Sequence, residues 1–418
     1  MLPLHPLLLL VTFAGPPDTP CSGPLTREAV IACATQQSPR VRADEARVAA
    51  ARGEADAARV LLPTNPNVAI TVGQRWNTLG DRAVNVSGTL SQRLEIAGER
   101  RKRAAVADAE IDARARAAEV TERDVIADAL LAYYDVLAVR EEVTIVARGL
   151  ATAERLRGVA EARAAAGLGA PLASELAAAE VARFVEHVAL ARGRVRVAES
   201  RLAVALGLDP TAPPPEVRGS LTPLATSDDV DDALRVASTR PELERARAEK
   251  RAREAQLALS RRERAPAPSL SFFVQTDGFN ERVIGGGLSL PILLPHPLGR
   301  TNKGEIAAAR ARVREADERV AAAARVLSVE ATTAYHEYAA RREAAGAYSA
   351  HADASARRSL DALADEIERG RLPVRDALLT QQSLIDLLLR STRSRHQLCL
   401  ASVTLVLASG ARFDGGAS

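Results

Sequence analysis

Asn67-Val68-Ala69-Ile70-Thr71-Val72 has a counterpart 202 residues later, Ser269-Leu270-Ser271-Phe272-Phe273-Val274. Both stretches place apolar side chains at every second position, the period of a strand with one apolar face. Only Phe273 interrupts the alternation. Each stretch follows a proline, Pro66 or Pro268, that lies 27 residues after another, Pro39 or Pro241. The offset persists along the chain. Tyr134-Asp135-Val136-Leu137 with Arg140 lines up with Tyr335-His336-Glu337-Tyr338 with Arg341 at a shift of 201. Gly167 and Gly207 line up with Gly370 and Gly410 at a shift of 203. So many independent landmarks make the chain an internal duplication.

Each copy carries the same order of elements. A helix is expected at about 26–60 and again at 228–262, where Asp228 supplies an N-cap. Two strand segments follow. Val84, Val86 and Leu90 alternate with Asn85, Ser87 and Thr89 in the first copy, and the stretch from Ile284 to Leu290 is the fourth segment. A long helical stretch then runs to a glycine-containing break, and a last helix covers about 172–206 and 374–408. Between 98 and 166 there is no proline, and the only glycines are Gly98, Gly149 and Gly158. A continuous helix of that length reaches about 100 Å. Apolar positions recur at three and four residues (Ile126, Leu130, Tyr134, Leu137; Leu378, Ile385, Leu388, Leu389), the narrow stripe of a coiled-coil wall. The chain therefore divides into a leader at 1–20, a first repeat at 21–207, a proline-rich linker at 208–227, a second repeat at 228–410 and a tail at 411–418. The fold class is mainly α with a small β part.

The strands of about eight to ten residues approach the roughly 9–11 that a tilted membrane strand needs. Four strands do not close a barrel, since about eight is the small limit. An open sheet in lipid leaves its edges unpaired. If the strands span a membrane, several chains share the barrel. The alternative is a small soluble sheet capping a helical bundle.

Composition excludes several classes. There are 56 basic against 53 acidic residues, a net charge of +3, and 3% aromatics. The two signs interleave, as in Asp112-Ala113-Arg114-Ala115-Arg116 with Glu119, which marks a solvated helix face. With no basic stripe and no aromatic platform, no nucleic-acid partner is expected. His5, His187, His296, His336, His351 and His396 are scattered, without HExxH or a Cys/His cluster. No GxxxxGK[ST] loop occurs, and Met1 is the only methionine. No enzyme, cofactor or resident metal is expected.

Leu7-Leu8-Leu9-Leu10-Val11-Thr12-Phe13-Ala14-Gly15 is too short to span a bilayer and reads as the apolar core of a secretory signal, although a basic n-region is missing. Cys21, Cys33 and Cys399 are odd in number and lack CxxC, so neither a disulfide framework nor a zinc site is expected. Cys21 follows the leader closely enough to be a lipid anchor. Asp18-Thr19-Pro20 lacks the leucine and small residues of a lipobox, which favours an unmodified cysteine.

Three stretches resemble the TolC-type outer-membrane factors. Leu25-Thr26-Arg27-Glu28-Ala29-Val30 leading to Ser38-Pro39 resembles that family's opening helix. Leu90-Ser91-Gln92-Arg93-Leu94-Glu95-Ile96-Ala97-Gly98-Glu99-Arg100-Arg101 resembles the end of its second strand and the entry to a long helix. The segment from Gly287 to Ile306 resembles the equivalent in the second copy. The wording of these last two is most similar to the heavy-metal efflux branch, CzcC- and CusC-like. The resemblance covers about residues 25–410. It implies a homotrimer with a shared twelve-stranded transmembrane barrel on a long α-helical coiled-coil barrel, set in the outer membrane of a Gram-negative bacterium. It also implies a periplasmic adaptor and an inner-membrane RND-type pump as partners. It gives the helix-hairpin tips, Gly167, Leu168, Gly169 and Pro171 with Gly370, Arg371, Leu372 and Pro373, the role of docking the adaptor. It places Asp376 at the periplasmic aperture, either as a gate carboxylate or as an ordinary surface aspartate; the partner position three residues on is Leu379. Heavy-metal cations or other small toxic molecules are the implied cargo. The competing function is a soluble coiled-coil scaffold or adaptor protein.

Overall fold

A computed structural model describes residues 21, 23–76, 78, 80–209, 211–213, 215–226, 239–276, 278, 281–292, 294 and 302–413. The leader at 1–20 and the Asp228 cap lie outside the described residues. The chain is mostly helical, with one small antiparallel sheet. In chain order the elements are α1 (Arg27–Gln37), α2 (Pro39–Ala58), β1 (Asn67–Trp76), β2 (Arg82–Arg93), α3 (Glu99–Ala165), α4 (Pro171–Ala205), α5 (Pro241–Arg262), β3 (Ser269–Thr276), β4 (Arg282–Ser289), α6 (Lys303–Gly346), α7 (Ala350–Glu368) and α8 (Val374–Ser409).

Two expectations about helices are corrected. The helix expected over 26–60 is two helices, because Ser38 leaves helical geometry at ψ 124° before Pro39. Proline lacks the N–H that would continue the ladder and disfavours helical geometry in the residue before it. The second copy repeats this device. Arg240 is extended at ψ 143°, and Pro241 opens α5 at its first turn. The long helix of the second copy is also interrupted, whereas α3 runs unbroken for 67 residues. After Gly346 the amides of Ala347 and Tyr348 tighten onto the carbonyls of Ala344 and Ala345. Ser349 then caps α7 by accepting from the Ala352 amide at 3.1 Å.

The structure separates into two compact units. One comprises 1–42, 122–234 and 330–418; the other comprises 43–121 and 235–329.

In the first unit the main core gathers Leu25, Val30 and Cys33 around Leu130, Tyr134, Leu202, Val403 and Val406. The linker is part of this core. Val217, Leu221 and Leu224 are buried. Leu25 and Val217 form a parallel bridge, with Leu25 donating to Glu216 O at 2.7 Å and Arg218 to Leu25 O at 3.0 Å. The hydroxyls of Tyr133 and Tyr134 donate to the carbonyls of Arg218 and Thr222, and Arg140 Nη1 donates to Val217 O. Proline-rich composition made this stretch read as a spacer; hydrogen bonds to buried aromatics make it a strap.

The expectation that no disulfide forms is corrected as well. Cys21 and Cys33, separated by 12 positions in the sequence, are bonded, with Cα atoms 5.3 Å apart. A thioether lipid on Cys21 would need the same sulfur atom, so the two states exclude each other. Cys399 is a free, fully buried thiol whose pKa burial pushes up to about 12, so it stays protonated at neutral pH.

In the second unit β1, β2, β3 and β4 pair in that order, all antiparallel. The β2–β3 pairing, Thr89↔Phe273 and Leu90↔Phe272 at its centre, joins strands far apart in sequence. The accompanying helices meet mainly through alanines, Ala51, Ala55, Ala113, Ala248, Ala252, Ala309 and Ala316. Ion pairs such as Arg251–Asp112 and Lys250–Asp317 lie outside that seam.

The cysteine pairing predicts a definite alkylation pattern. The native, unreduced protein should take up no alkylating agent, the denatured protein one equivalent at Cys399, and the reduced, denatured protein three, read by mass. Reduction alone should lower the unfolding free energy by about 3 kcal/mol, as expected for a loop of this size.

Candidate functional site

Two features have the geometry of functional surfaces: the pair of helix-hairpin tips in the first unit and the sheet in the second.

The tips are built by the same turn chemistry. At the end of α3, Gly167 is left-handed at φ 69°, the Leu168 amide donates to Arg163 O at 2.9 Å, and the Gly167 amide donates to Ala164 O at 3.1 Å. At the end of α7, Gly370 has φ 69°, Arg371 donates to Glu366 O at 3.0 Å, and Gly370 donates to Ile367 O at 2.9 Å. This double bond around a left-handed residue satisfies carbonyls that the helix end leaves open, and only glycine enters that region without steric cost. Pro171 then occupies the first turn of α4, while Pro373 is the N-cap of α8.

The expected tip residues are not equivalent. Gly167, Leu168, Gly169, Pro171, Gly370, Arg371 and Pro373 are exposed, with Leu168 at 71%. Leu372 turns inward and packs on a second core formed by Leu156, Phe184, Leu360, Ile367 and Leu388. Arg371 is held by Glu366 at 2.7 Å. Asp376 is exposed in the first turn of α8, where a carboxylate favours the positive end of the helix dipole. Leu379, Thr380, Ser383, Asp386 and Arg390 continue its exposed side along α8.

Contacts that spacing did not reveal tie the tips together. Arg163 of α3 donates to Ile367 O at the end of α7 at 3.1 Å, and Arg155 donates to Asp361 O at 3.3 Å. A cleft of about 500 Å³ opens beside these bonds. Its walls include Val159, Ala162 and Ala364, and Leu168 and Glu368 stand at its edge. Deeper, fully buried Gln381 of α8 donates to Gly149 O at 2.7 Å. The missing side chain of Gly149 makes room for Phe184, since a Cβ there would stand 2.5 Å from the ring. Farther along, Glu141 of α3 receives Arg395 of α8 at 2.7 Å and Arg357 of α7 at 3.4 Å. A lone glycine inside a long helix was the sequence signal for the first of these locks. The arginine contacts had none, because arginine is everywhere in this chain.

The sheet has two different faces. Cross-strand register places Val68, Ile70 and Val72 beside Val84, Val86 and Leu90, and these beside Leu270, Phe272, Val274, Ile284 and Leu288. All of these side chains are exposed, Ile70 at 74%, and Trp76 ends the same face of β1 at 59%. The opposite face carries Thr71, Asn85, Ser87, Thr89 and Ser271. Phe273, which broke the alternation in the sequence, lies on this polar face over Gly285, whose absent side chain leaves it space. A Cβ on Gly287 would likewise meet Ser271 Oγ at 2.7 Å. Among the described residues β1 and β4 each have one unpaired edge. No helix among them is long and apolar enough to cross a membrane, and no group of three or more His, Cys, Asp or Glu side chains is placed to hold a metal ion.

Comparison with solved structures finds the same fold in outer-membrane channels. The chain superimposes on the open-state MtrE outer membrane channel of Neisseria gonorrhoeae with a TM-score of 0.74, 16% identity, and coverage of 92% of this chain and 89% of that one. It superimposes on CusC with a TM-score of 0.72, 16% identity and 92% coverage of each. The two likenesses are of one size, so they do not single out the CusC-like branch. In sequence, the chain is 30% identical over 320 residues to Protein CyaE of Bordetella pertussis, covering 72% of this chain and 67% of that protein. Residues 30–208 match the family described as Outer membrane efflux protein. The chain belongs to the outer membrane efflux protein family.

The tip geometry predicts the effect of one substitution. Arg163→Ala should speed amide hydrogen exchange over 366–373 by roughly tenfold, the loss of one charged hydrogen bond of about 1.5 kcal/mol, and leave exchange at Gly149 unchanged. Unchanged exchange at 366–373 would show that the two tips are not tied by this contact.

Proposed function

We propose that three copies of this chain form the outer-membrane exit duct of a tripartite efflux system. The duct passively conducts small toxic molecules, heavy-metal cations among them, from periplasm to exterior. The observation that carries this reading is the sheet with one wholly exposed apolar face and two open edges. In water such a face would be an unusually large apolar patch, which disfavours the soluble scaffold. In hydrocarbon the face is at home, but each open edge leaves unpaired amides and carbonyls that cost several kcal/mol apiece. Pairing β4 of one copy with β1 of the next removes every edge. Two copies would make an eight-stranded barrel, whose interior side chains fill. Three make twelve strands, enough to leave a lumen lined by the polar face.

Membership of the efflux family supports the same reading. The four-element order recurring on both sides of the strap supports an internal duplication. The tips are proposed to meet a periplasmic adaptor, with Leu168 and the cleft between the ends of α3 and α7 as the contact surface. An inner-membrane RND-type pump would supply the energy. Asp376 is proposed to contribute one carboxylate per chain to a ring at the periplasmic aperture, as carboxylate rings do in cation-conducting pores.

The test is conductance of the detergent-extracted protein in a planar bilayer, with its mass measured in the same detergent. A trimer that conducts, with Asp376→Asn reducing cation preference about two- to fivefold, is the expected result. A water-soluble monomer or dimer without conductance would sink the duct in favour of the scaffold. A conducting trimer indifferent to Asp376→Asn would leave the duct and remove the ring.

A further inference from the structure

The second unit holds a cleft of about 560 Å³ with an unusual lining: Arg59, Ala97, Gly98, Arg100, Arg101, Lys102, Ala104 and Arg262. Five of these carry positive charge and none carries negative charge. Arg59 is neutralised by Asp108 at 2.6 Å and Asp56 at 3.5 Å. Arg100 spends its Nε on Arg59 O at 3.1 Å, leaving the ends of its guanidinium free of carboxylate among the described residues. Arg101, Lys102 and Arg262 have no ion-pair partner among the described residues. Glu99 is buried and accepts from the Ala97 amide at 2.8 Å, and Glu95 is held by Arg103. In a chain whose charges otherwise interleave, this is an uncompensated concentration of cations in a concavity.

Its position says what it faces. Arg59 opens the run from α2 to β1, residues 97 and 98 lead from β2 into α3, whose first turns carry 99–104, and Arg262 ends α5 ahead of β3. The register pairs Asn67 with Ser91 and Arg93 with Ser269, so these connections leave the sheet at one and the same end. The paired strands stop there, and Trp76 marks the opposite end of the apolar face; Leu61, Ile96, Leu290 and Ile292 are exposed on the connections at the cleft's end. The cleft thus lies at the helix-side border of the apolar surface, where headgroups meet hydrocarbon if the sheet spans a bilayer. Guanidinium groups bind phosphate oxygens in pairs, and basic clusters at such a boundary attract anionic lipid.

We propose that this cleft binds the phosphate of an anionic phospholipid in the leaflet next to the helices. The inference rests on the membrane reading of the sheet. The shared chemistry is a phosphate anion, and a soluble phosphate is the other possible source of it.

The full-length protein has one tryptophan, which separates the two questions. The protein is reconstituted into vesicles of phosphatidylcholine with or without one-fifth phosphatidylglycerol, and into vesicles with brominated acyl chains. Quenching of Trp76 by the brominated chains reports insertion of the sheet. Retention of phosphatidylglycerol over phosphatidylcholine by the protein, extracted in mild detergent and analysed by native mass spectrometry, reports the cleft. The expected result is quenching together with a phosphatidylglycerol preference. That preference should fall roughly tenfold or more in R101Q/K102Q/R262Q, and persist in R101K/R262K. Quenching should be the same in all three proteins. Quenching without lipid preference, or a preference that survives the triple substitution, overturns the headgroup site and leaves the membrane reading intact. Loss of the preference in millimolar inorganic phosphate assigns the cleft to a soluble anion and also overturns it. Absence of quenching removes the membrane reading and the proposal with it.

Discussion

Backbone amides and carbonyls in hydrocarbon have no water to turn to, and the function proposed for this chain turns on that fact. A four-stranded sheet satisfies its inner ladders and leaves two edges open. The side chains of β1 to β4 fit the same proposal. Valine, isoleucine, leucine and phenylalanine occupy the outward positions, where no protein covers them. Serine, threonine and asparagine occupy the other side. The glycines of β4 also have a packing reason. Gly285 and Gly287 leave room for Phe273 and Ser271 across the strand, so the polar face holds a large ring without bending the ladder.

The first unit meets a different demand, that of holding helical hairpins in register. Its devices are sparse and specific. Gln381 buries an amide against the carbonyl of Gly149, and Phe184 fills the place where Gly149 has no side chain. Arg163 and Arg155 reach from one hairpin to backbone carbonyls of the other. Such bonds fix geometry at a few points and leave the intervening exposed surfaces of α4 and α8 free. The break between α6 and α7 belongs to the same economy, because Ser349 caps a new helix where an unbroken one would continue.

Much of the fold was legible because its signals are periodic. Four alternating segments became four strands with ends displaced by up to four residues, and the proline-free run became α3. The turn residues Gly167 and Gly370 announced the tips for a local reason, the left-handed conformation that few other residues enter. What escaped has no period. The Cys21–Cys33 bond joins two cysteines that fit no spacing rule. The strap at 216–226 looked like a spacer because its prolines are local, whereas its partners, Tyr133, Tyr134 and Arg140, are some 80 residues away. The inward turn of Leu372 against the outward Leu168 depends on which core lies beneath each, which no local pattern encodes.

The strap also constrains the order in which the molecule can be assembled. The Leu224 amide donates to Ser402 Oγ, and Arg123 donates to the carbonyls of Val406 and Ala411. These partners emerge 178 and more than 280 residues after the groups they satisfy. The first unit is closed by α8, so an emerging chain keeps Tyr134, Leu130 and Leu224 without their final cover until α8 has been made. Long-range closure of this kind is slow, and the interval exposes apolar surface to aggregation. A truncation removing only the last few turns of α8 would therefore do more than shorten a helix: it would withhold the latch on which maturation of the whole unit waits.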